Sequence, residues 1–282
     1  MSPAHKPAQS QSMPGSDQQM EPKPDYGYDT YEGHGRLEGR KAVVTGADSG
    51  IGKAVALAFA REGADVLISY LEEHEDAEET KRWVEEAGRQ AVLCPGDISE
   101  LEGCERVVQQ AVDAFGRIDV LVNNAAFQIA RESLEEVPDE ELVRTYHTNV
   151  LSFFRITKAA LPHMGEGSSI INTGSVQGDQ PSPALAVYAS TKAAIANMTG
   201  SLAQMLGPKG IRVNAVAPGP VWTPLIPGSM PAEQAEDFGS STPLGRAAQP
   251  GEYGPIYVLL ASEEGSAMAG SVVPATMGMA IL

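Results

Sequence analysis

Tyr188 and Lys192 stand four residues apart in a segment, Ala184 to Leu206, whose pattern predicts a helix. At that spacing two side chains share one helix face, one turn apart. A fixed ammonium beside a phenol favours the phenolate and eases loss of its proton. Ser175 lies thirteen residues before the tyrosine, just past the apolar run Ser169-Ile170-Ile171-Asn172-Thr173. That run reads as a strand, and a strand end can meet a helix face in an α/β fold. A phenol, an amine and a hydroxyl brought together would suit proton transfer at a bound oxygen. Alone, Tyr-x-x-x-Lys is more often an ordinary helix surface and such a serine a strand-end cap. The surrounding elements decide between the two.

Those elements alternate. Lys41–Thr45 is a short apolar run of the kind a buried strand shows. Further strands are predicted over 64–70, 90–94, 118–122, 168–173, 211–217 and 271–275. Helices are predicted over 53–62, 75–87, 99–115 (with Ser99 as its cap), 138–164, 184–206 and 251–261. Strands separated by helices of ten or more residues imply βαβ units and a parallel sheet. Right-handed crossovers then put helices on both faces. The fold class is therefore α/β: one doubly wound, Rossmann-type domain of about seven strands over 37–282. Residues 218–249 are rich in Pro, Gly and Ser and read as a substrate loop with a short helix near 232–238. Residues 1–36 are polar and poor in aliphatic side chains. Such a segment is either disordered or an arm lying on a neighbouring subunit through Tyr26, Tyr28 and Tyr31.

The chain carries 37 acidic against 20 basic residues, a formal charge of −17. Nucleic acid and anionic membranes both need a positive field, so neither is expected as a partner. Two cysteines, Cys94 and Cys104, form no CxxC pair, which points to a reducing, cytoplasmic setting. No apolar run is long enough to span a membrane, no secretory leader is visible, and no metal site is expected.

Gly46, Gly50 and Gly52 fall between the first strand and the first helix. That is where a parallel sheet binds a dinucleotide, with the helix amides facing the pyrophosphate. A P-loop would need glycine at Ala47 and Ser or Thr at Ala54, so it is rejected. The turn Thr45-Gly46-x-x-x-Gly50-Ile51-Gly52 resembles that of the short-chain dehydrogenase/reductase family. Asn123-Asn124-Ala125-Ala126, Thr148-Asn149-Val150, Ser175 with Tyr188 and Lys192, and Pro218-Gly219 resemble the family's later motifs in order. The polar N-terminal stretch and the glycine turn are similar to a glucose/ribitol dehydrogenase-like subgroup.

The resemblance implies hydride transfer between a nicotinamide and an alcohol or carbonyl carbon of a small molecule: a sugar, polyol, aldehyde or ketone. It assigns Tyr188 as acid/base, its pKa of about 10 lowered by Lys192 and the oxidised nicotinamide. Ser175 would hold the substrate oxygen, Lys192 the ribose hydroxyls, and Asn149 a water leading to Lys192. Cofactor contacts would come from Gly46, Asp48, Ser49, Gly50, Ile51, Gly52, Tyr70, Asp97, Ile98, Asn123, Ala125, Pro218, Gly219, Val221 and Thr223, besides Tyr188 and Lys192. The second strand ends in Tyr70, followed by Leu71, Glu72 and Glu73, with no basic residue for a 2′-phosphate; NAD is expected, with NADP as the alternative. Gln177, Asp179 and Gln180 are either substrate contacts or exposed loop residues. Pro274 and Met277 depart from the family's usual Asp-Gly-Gly ending. Family members of this size are commonly tetramers, so a homotetramer is expected. The rival readings are a binding protein that senses the dinucleotide without turnover, and a lyase or epimerase on the same scaffold.

Overall fold

In the computed structural model, residues 6–280 are described. In chain order the elements are β1 (Lys41–Thr45), α1 (Gly50–Arg61), β2 (Asp65–Tyr70), α2 (His74–Glu86), β3 (Ala91–Pro95), α3 (Leu101–Phe115), β4 (Val120–Asn123), α4 (Asp139–Tyr146), α5 (Ser152–Ala160), β5 (Ser169–Thr173), α6 (Ala186–Leu206), β6 (Arg212–Pro218), α7 (Leu225–Ser229), α8 (Ala232–Glu236), α9 (Gly254–Ala261) and β7 (Val272–Ala275). The strands form one sheet of seven, ordered β3-β2-β1-β4-β5-β6-β7. All pairings are parallel, with Val43 opposite Leu67 on one side and Leu121 on the other.

Successive strand residues point to opposite faces of a sheet, and here both faces are apolar. Val44, Val122 and Ile171 enter a core shared with Val55 and Phe59 of α1 and Tyr257 and Leu260 of α9. Val43, Leu121 and Ile170 enter a second core with Val107 of α3, Phe153 and Ile156 of α5, and Ile195 and Met198 of α6. Helices thus cover both faces, as the alternating pattern implies. Truncating a fully buried side chain such as Phe59 would cost about 3–5 kcal/mol.

The helix expected over 138–164 is interrupted. α4 passes into a π turn, His147–Leu151, before α5, and a 3-10 turn, Leu161–His163, follows around Pro162. Ser99 does not cap α3. Its amide is taken by the Asp97 carboxylate at 2.8 Å, and Glu100 holds the cap position without a side-chain bond. β7 tolerates Pro274 because it is an edge strand, where a missing N–H breaks no inner ladder. Met277 then adopts φ 56°.

Residues 6–36 lie on their own domain; residues 1–5 fall outside the described part. Asp17 pairs at 3.0 Å with Lys53, which is fully buried and also meets Glu79. The Lys53 ammonium lies 4.8 Å from the Tyr26 ring and 4.6 Å from the Trp83 ring. The Tyr28 ring packs tilted against Trp83 with centres 4.8 Å apart, and the Tyr31 hydroxyl donates to Glu62 at 2.6 Å. A polar segment holds here because it neutralises a cation that would otherwise be buried with one partner fewer.

Candidate active site

The glycine turn between β1 and α1 is fixed by close approach. A methyl at Gly52 would sit 2.0 Å from the Gly46 carbonyl oxygen, and Gly50 has φ 54° with Thr223 packed over it. The α1 amides are thereby left facing a groove, an arrangement suited to an anion. Asn124 braces the turn: its Nδ2 donates to the carbonyls of Thr45 at 3.0 Å and Gly46 at 3.1 Å. Its Oδ1 accepts from the Thr173 hydroxyl of β5 at 3.1 Å. Within the turn, burial pushes Asp48 up to about 7, although the Ser49 hydroxyl donates to it and opposes that rise.

β5 delivers Ser175 and α6 delivers Tyr188 and Lys192 to the same place. The Ser175 oxygen accepts from the Gln177 amide at 3.1 Å, and its hydroxyl is hydrogen-bonded to Tyr188. Burial pushes Tyr188 up to about 12, and the Ser175 hydroxyl beside it draws it back down. Burial brings Lys192 down to about 7. Its Nζ donates to the Thr173 carbonyl at 2.8 Å and lies 5.3 Å from the Tyr188 ring centre. In the protein by itself burial therefore keeps Tyr188 above its ordinary value, where a lowering by Lys192 and the oxidised nicotinamide was expected.

The fully buried Asn149 lies in the π turn, at a helix irregularity of the kind found at functional sites. Its Oδ1 accepts from the Phe127 amide at 2.7 Å, while Nδ2 donates to the Phe127 carbonyl at 2.9 Å and Thr191 at 3.1 Å. These bonds occupy the side chain, so it holds the loop following β4 against α6 rather than facing the groove.

One cavity of about 810 Å³ joins these parts. It is lined by Gly46, Asp48, Ser49, Gly50 and Ile51 of the turn, Tyr70, Asp97 and Ile98 at one end, and Ala125, Ser175, Tyr188, Lys192, Pro218, Gly219, Val221 and Thr223 at the other. Three expected contacts do not line it. Gly52 is a packing glycine, Asn149 is held as above, and Asn123 is buried beneath the sheet end with its Nδ2 on Asn172 at 3.0 Å. Asn124, its neighbour, takes the groove position. Strand alternation is the reason: one of two adjacent residues must turn inward. The sequence reading also missed Thr148, whose buried hydroxyl has no partner, and Phe127, Arg144, Met279 and residues 13–15. Only Thr148 carried a signal, as the neighbour of Asn149.

A parallel sheet of this order with a glycine turn opening the first helix and a cavity across the strand ends defines a dinucleotide-binding α/β protein. The groove fits such a ligand on its own evidence: a turn into which no side chain fits, a helix N-terminus at its edge, and an unsatisfied Thr148 hydroxyl. The family model described as enoyl-(acyl carrier protein) reductase matches residues 46–280, and the chain belongs to the short-chain dehydrogenase/reductase family of oxidoreductases. It is 48% identical over 261 residues to glucose and ribitol dehydrogenase homolog 2 of Arabidopsis thaliana, covering 90% of each chain. It is 46% identical to the chloroplastic NADPH-dependent aldehyde reductase 1 of the same plant, covering 89% of each. A short chain dehydrogenase from Burkholderia cenocepacia solved with NADP superposes with a TM-score of 0.82 at 32% identity, over 86% of this chain and 98% of that one. Among the described residues, no helix is long and apolar enough to cross a membrane.

Proposed function

We propose that this protein transfers a hydride between a nicotinamide dinucleotide and an alcohol or carbonyl carbon of a small molecule, with Tyr188 as the acid/base. The observation that carries this is the single cavity shared by the glycine turn, Ser175, Tyr188 and Lys192. The cofactor supplies the hydride donor or acceptor at its nicotinamide ring. Tyr188 gives its hydroxyl proton to the substrate oxygen in reduction and takes it back in oxidation. Ser175, whose hydroxyl meets Tyr188 in the protein by itself, turns it to the same substrate oxygen and holds the carbon in line. Lys192, steadied by the Thr173 carbonyl, turns its remaining protons toward ribose hydroxyls. Asn149 is a positioning residue acting through Phe127 and Thr191. Asn123 supports the sheet end, and Asn124 the turn.

The cavity contains two cations, Arg144 and Lys192. Arg144 lies 3.8 Å from Asp97 and 5.3 Å from the Phe127 ring centre. At the end of β2 stand Tyr70, Leu71, Glu72 and Glu73, where a 2′-phosphate would meet carboxylates. NAD is therefore the preferred cofactor, with NADP weaker, even though two related proteins are described with NADP or NADPH. Tighter NADPH than NADH binding would refute the preference.

The deciding experiment follows nicotinamide absorbance against aldehydes, ketones, sugars and polyols. Turnover supports the oxidoreductase reading; tight dinucleotide binding with no turnover on any of them supports a sensing protein instead. Self-association, as a homotetramer, is supported by the exposed Leu142, Val143, Tyr146, Leu151 and Phe154 along α4, the π turn and α5, an apolar stretch of the kind that marks an interface. Light scattering would give the mass.

A further inference from the structure

Residues 11–17 are tied to both sides of the cavity. On the substrate-loop side, the Gln11 amide donates to the Pro227 carbonyl of α7 at 2.8 Å. Further back, Lys6 donates through Nζ to the Phe238 carbonyl at 3.0 Å, and its ammonium sits over the Trp222 ring. The Trp222 indole N–H in turn donates to the Pro22 carbonyl at 2.8 Å. On the other side, the Asp76 carboxylate in the first turn of α2 accepts from the Ser16 hydroxyl at 2.8 Å and the Asp17 amide at 2.9 Å. Between these ties, Met13, Pro14 and Gly15 line the cavity itself.

The fit is close. A methyl at Gly15 would lie 2.4 Å from the Pro224 carbonyl oxygen, and one at Gly228 would lie 2.8 Å from Met13 Sδ. Backbone therefore packs on backbone where the segment meets the loop. The same segment reaches the glycine turn from behind: Tyr26 donates its hydroxyl proton to Asp17, and its oxygen lies 3.4 Å from the Gly50 amide nitrogen.

We propose that residues 11–17 are a wall of the dinucleotide site, a strap supplied in cis that runs from the substrate loop to α2 and retains the bound cofactor. This rests on the nicotinamide-dinucleotide reading of the cavity. The strap adds contact area along the groove and joins the substrate loop to the α2 side, so the cofactor leaves only when the Met13–Gly15 span lifts from Pro224. The acidic ties at Asp17 and Asp76 face Lys53 and the strap's own donors, which leaves Met13, Pro14 and Gly15 as its contribution to the cavity.

The test compares NADH release from the full-length native chain and from Gly15→Ala, by stopped-flow displacement of bound NADH. The added methyl pushes the strap off Pro224, and release is expected to be about tenfold faster. Release from the variant at the native rate overturns the strap. Where Gly15→Ala does not fold, hydrogen exchange on the native chain decides: slower exchange of amides 11–17 on adding NADH supports the wall, and unchanged exchange overturns it. A native chain that binds neither NADH nor NADPH overturns the dinucleotide reading together with the strap; where only NADPH binds, its release is measured in the same way. Tight native binding with equal release overturns the strap alone.

Discussion

The Lys192 ammonium nitrogen stands 5.3 Å from the centre of the Tyr188 ring while it donates to the Thr173 carbonyl at 2.8 Å. The pair is buried, so each side chain is held toward its neutral form and the cost of charging either is built into the fold.

Replacing Tyr188 by Phe removes the transferable proton and leaves the ring. Turnover is expected to fall by roughly 10²–10⁴-fold, the usual range for losing an acid/base group. The dissociation constant for NADH should hardly move. Steady-state rates and a binding titration on one preparation check both; undiminished turnover would dismiss Tyr188 as the acid/base.

Lys192 sets a stability trend with pH. Its ordinary value of 10.5 drops to about 7 in the fold. Below 7 both states carry the proton and the full burial cost is felt. Between 7 and 10.5 the unfolded chain holds a proton that the folded chain lacks, so stability rises with pH across that window. Lys192→Met lacks this dependence. Urea unfolding of both chains through the window should show native gaining on the variant; a constant gap would contradict the burial argument.

Asp48 gives a second pH trend, this time in binding. Burial places it at about 7, with Glu73 and Asp17 pushing the same way. Above that value the glycine turn acquires a negative charge beside the site for an anionic pyrophosphate. NADH affinity is expected to weaken several-fold from one unit below to one unit above, and Asp48→Asn to flatten the curve. A parallel decline in the variant would place the titrating group elsewhere.

Glu62 ties the N-terminal stretch to α1. Burial raises its pKa, but the Arg36 and Tyr31 side chains and the amides of Arg36 and His34 outweigh that and bring it from 4.5 to about 2. A depressed carboxylate stabilises above its ordinary value and loses that contribution as pH falls toward the folded one. Native stability should therefore drop between pH 4.5 and 2, and Glu62→Gln should drop less steeply. Identical acid profiles would remove Glu62 from the account.

What could be read from the amino acids was whatever geometry forces on residue type. Gly52 must lack a side chain because the Gly46 carbonyl fills its place, so the turn was legible. Tyr188 and Lys192 were legible because helical spacing puts them on one face. Asn123 and Asn124 were not separable, since identical neighbours hide which one the strand turns inward. The π turn at Asn149 left no trace, because one extra residue in a helix barely disturbs its apolar period. The strap was invisible for a different reason. Its grip on the substrate loop is largely backbone to backbone, as from Gln11 to Pro227, and backbone atoms have no spelling.

Asn124 joins the carbonyls of Thr45 and Gly46, at the end of β1, to the hydroxyl of Thr173, at the end of β5. One of those ends shapes the groove that seats a cofactor; the other leads into Ser175 and gives Lys192 its carbonyl partner. A single amide thus acts as a gauge block between two working parts. On the proposed reading, the spacing between the cofactor groove and the proton donor is built into the sheet, and this one short side chain braces it rather than leaving it to be found anew at each encounter.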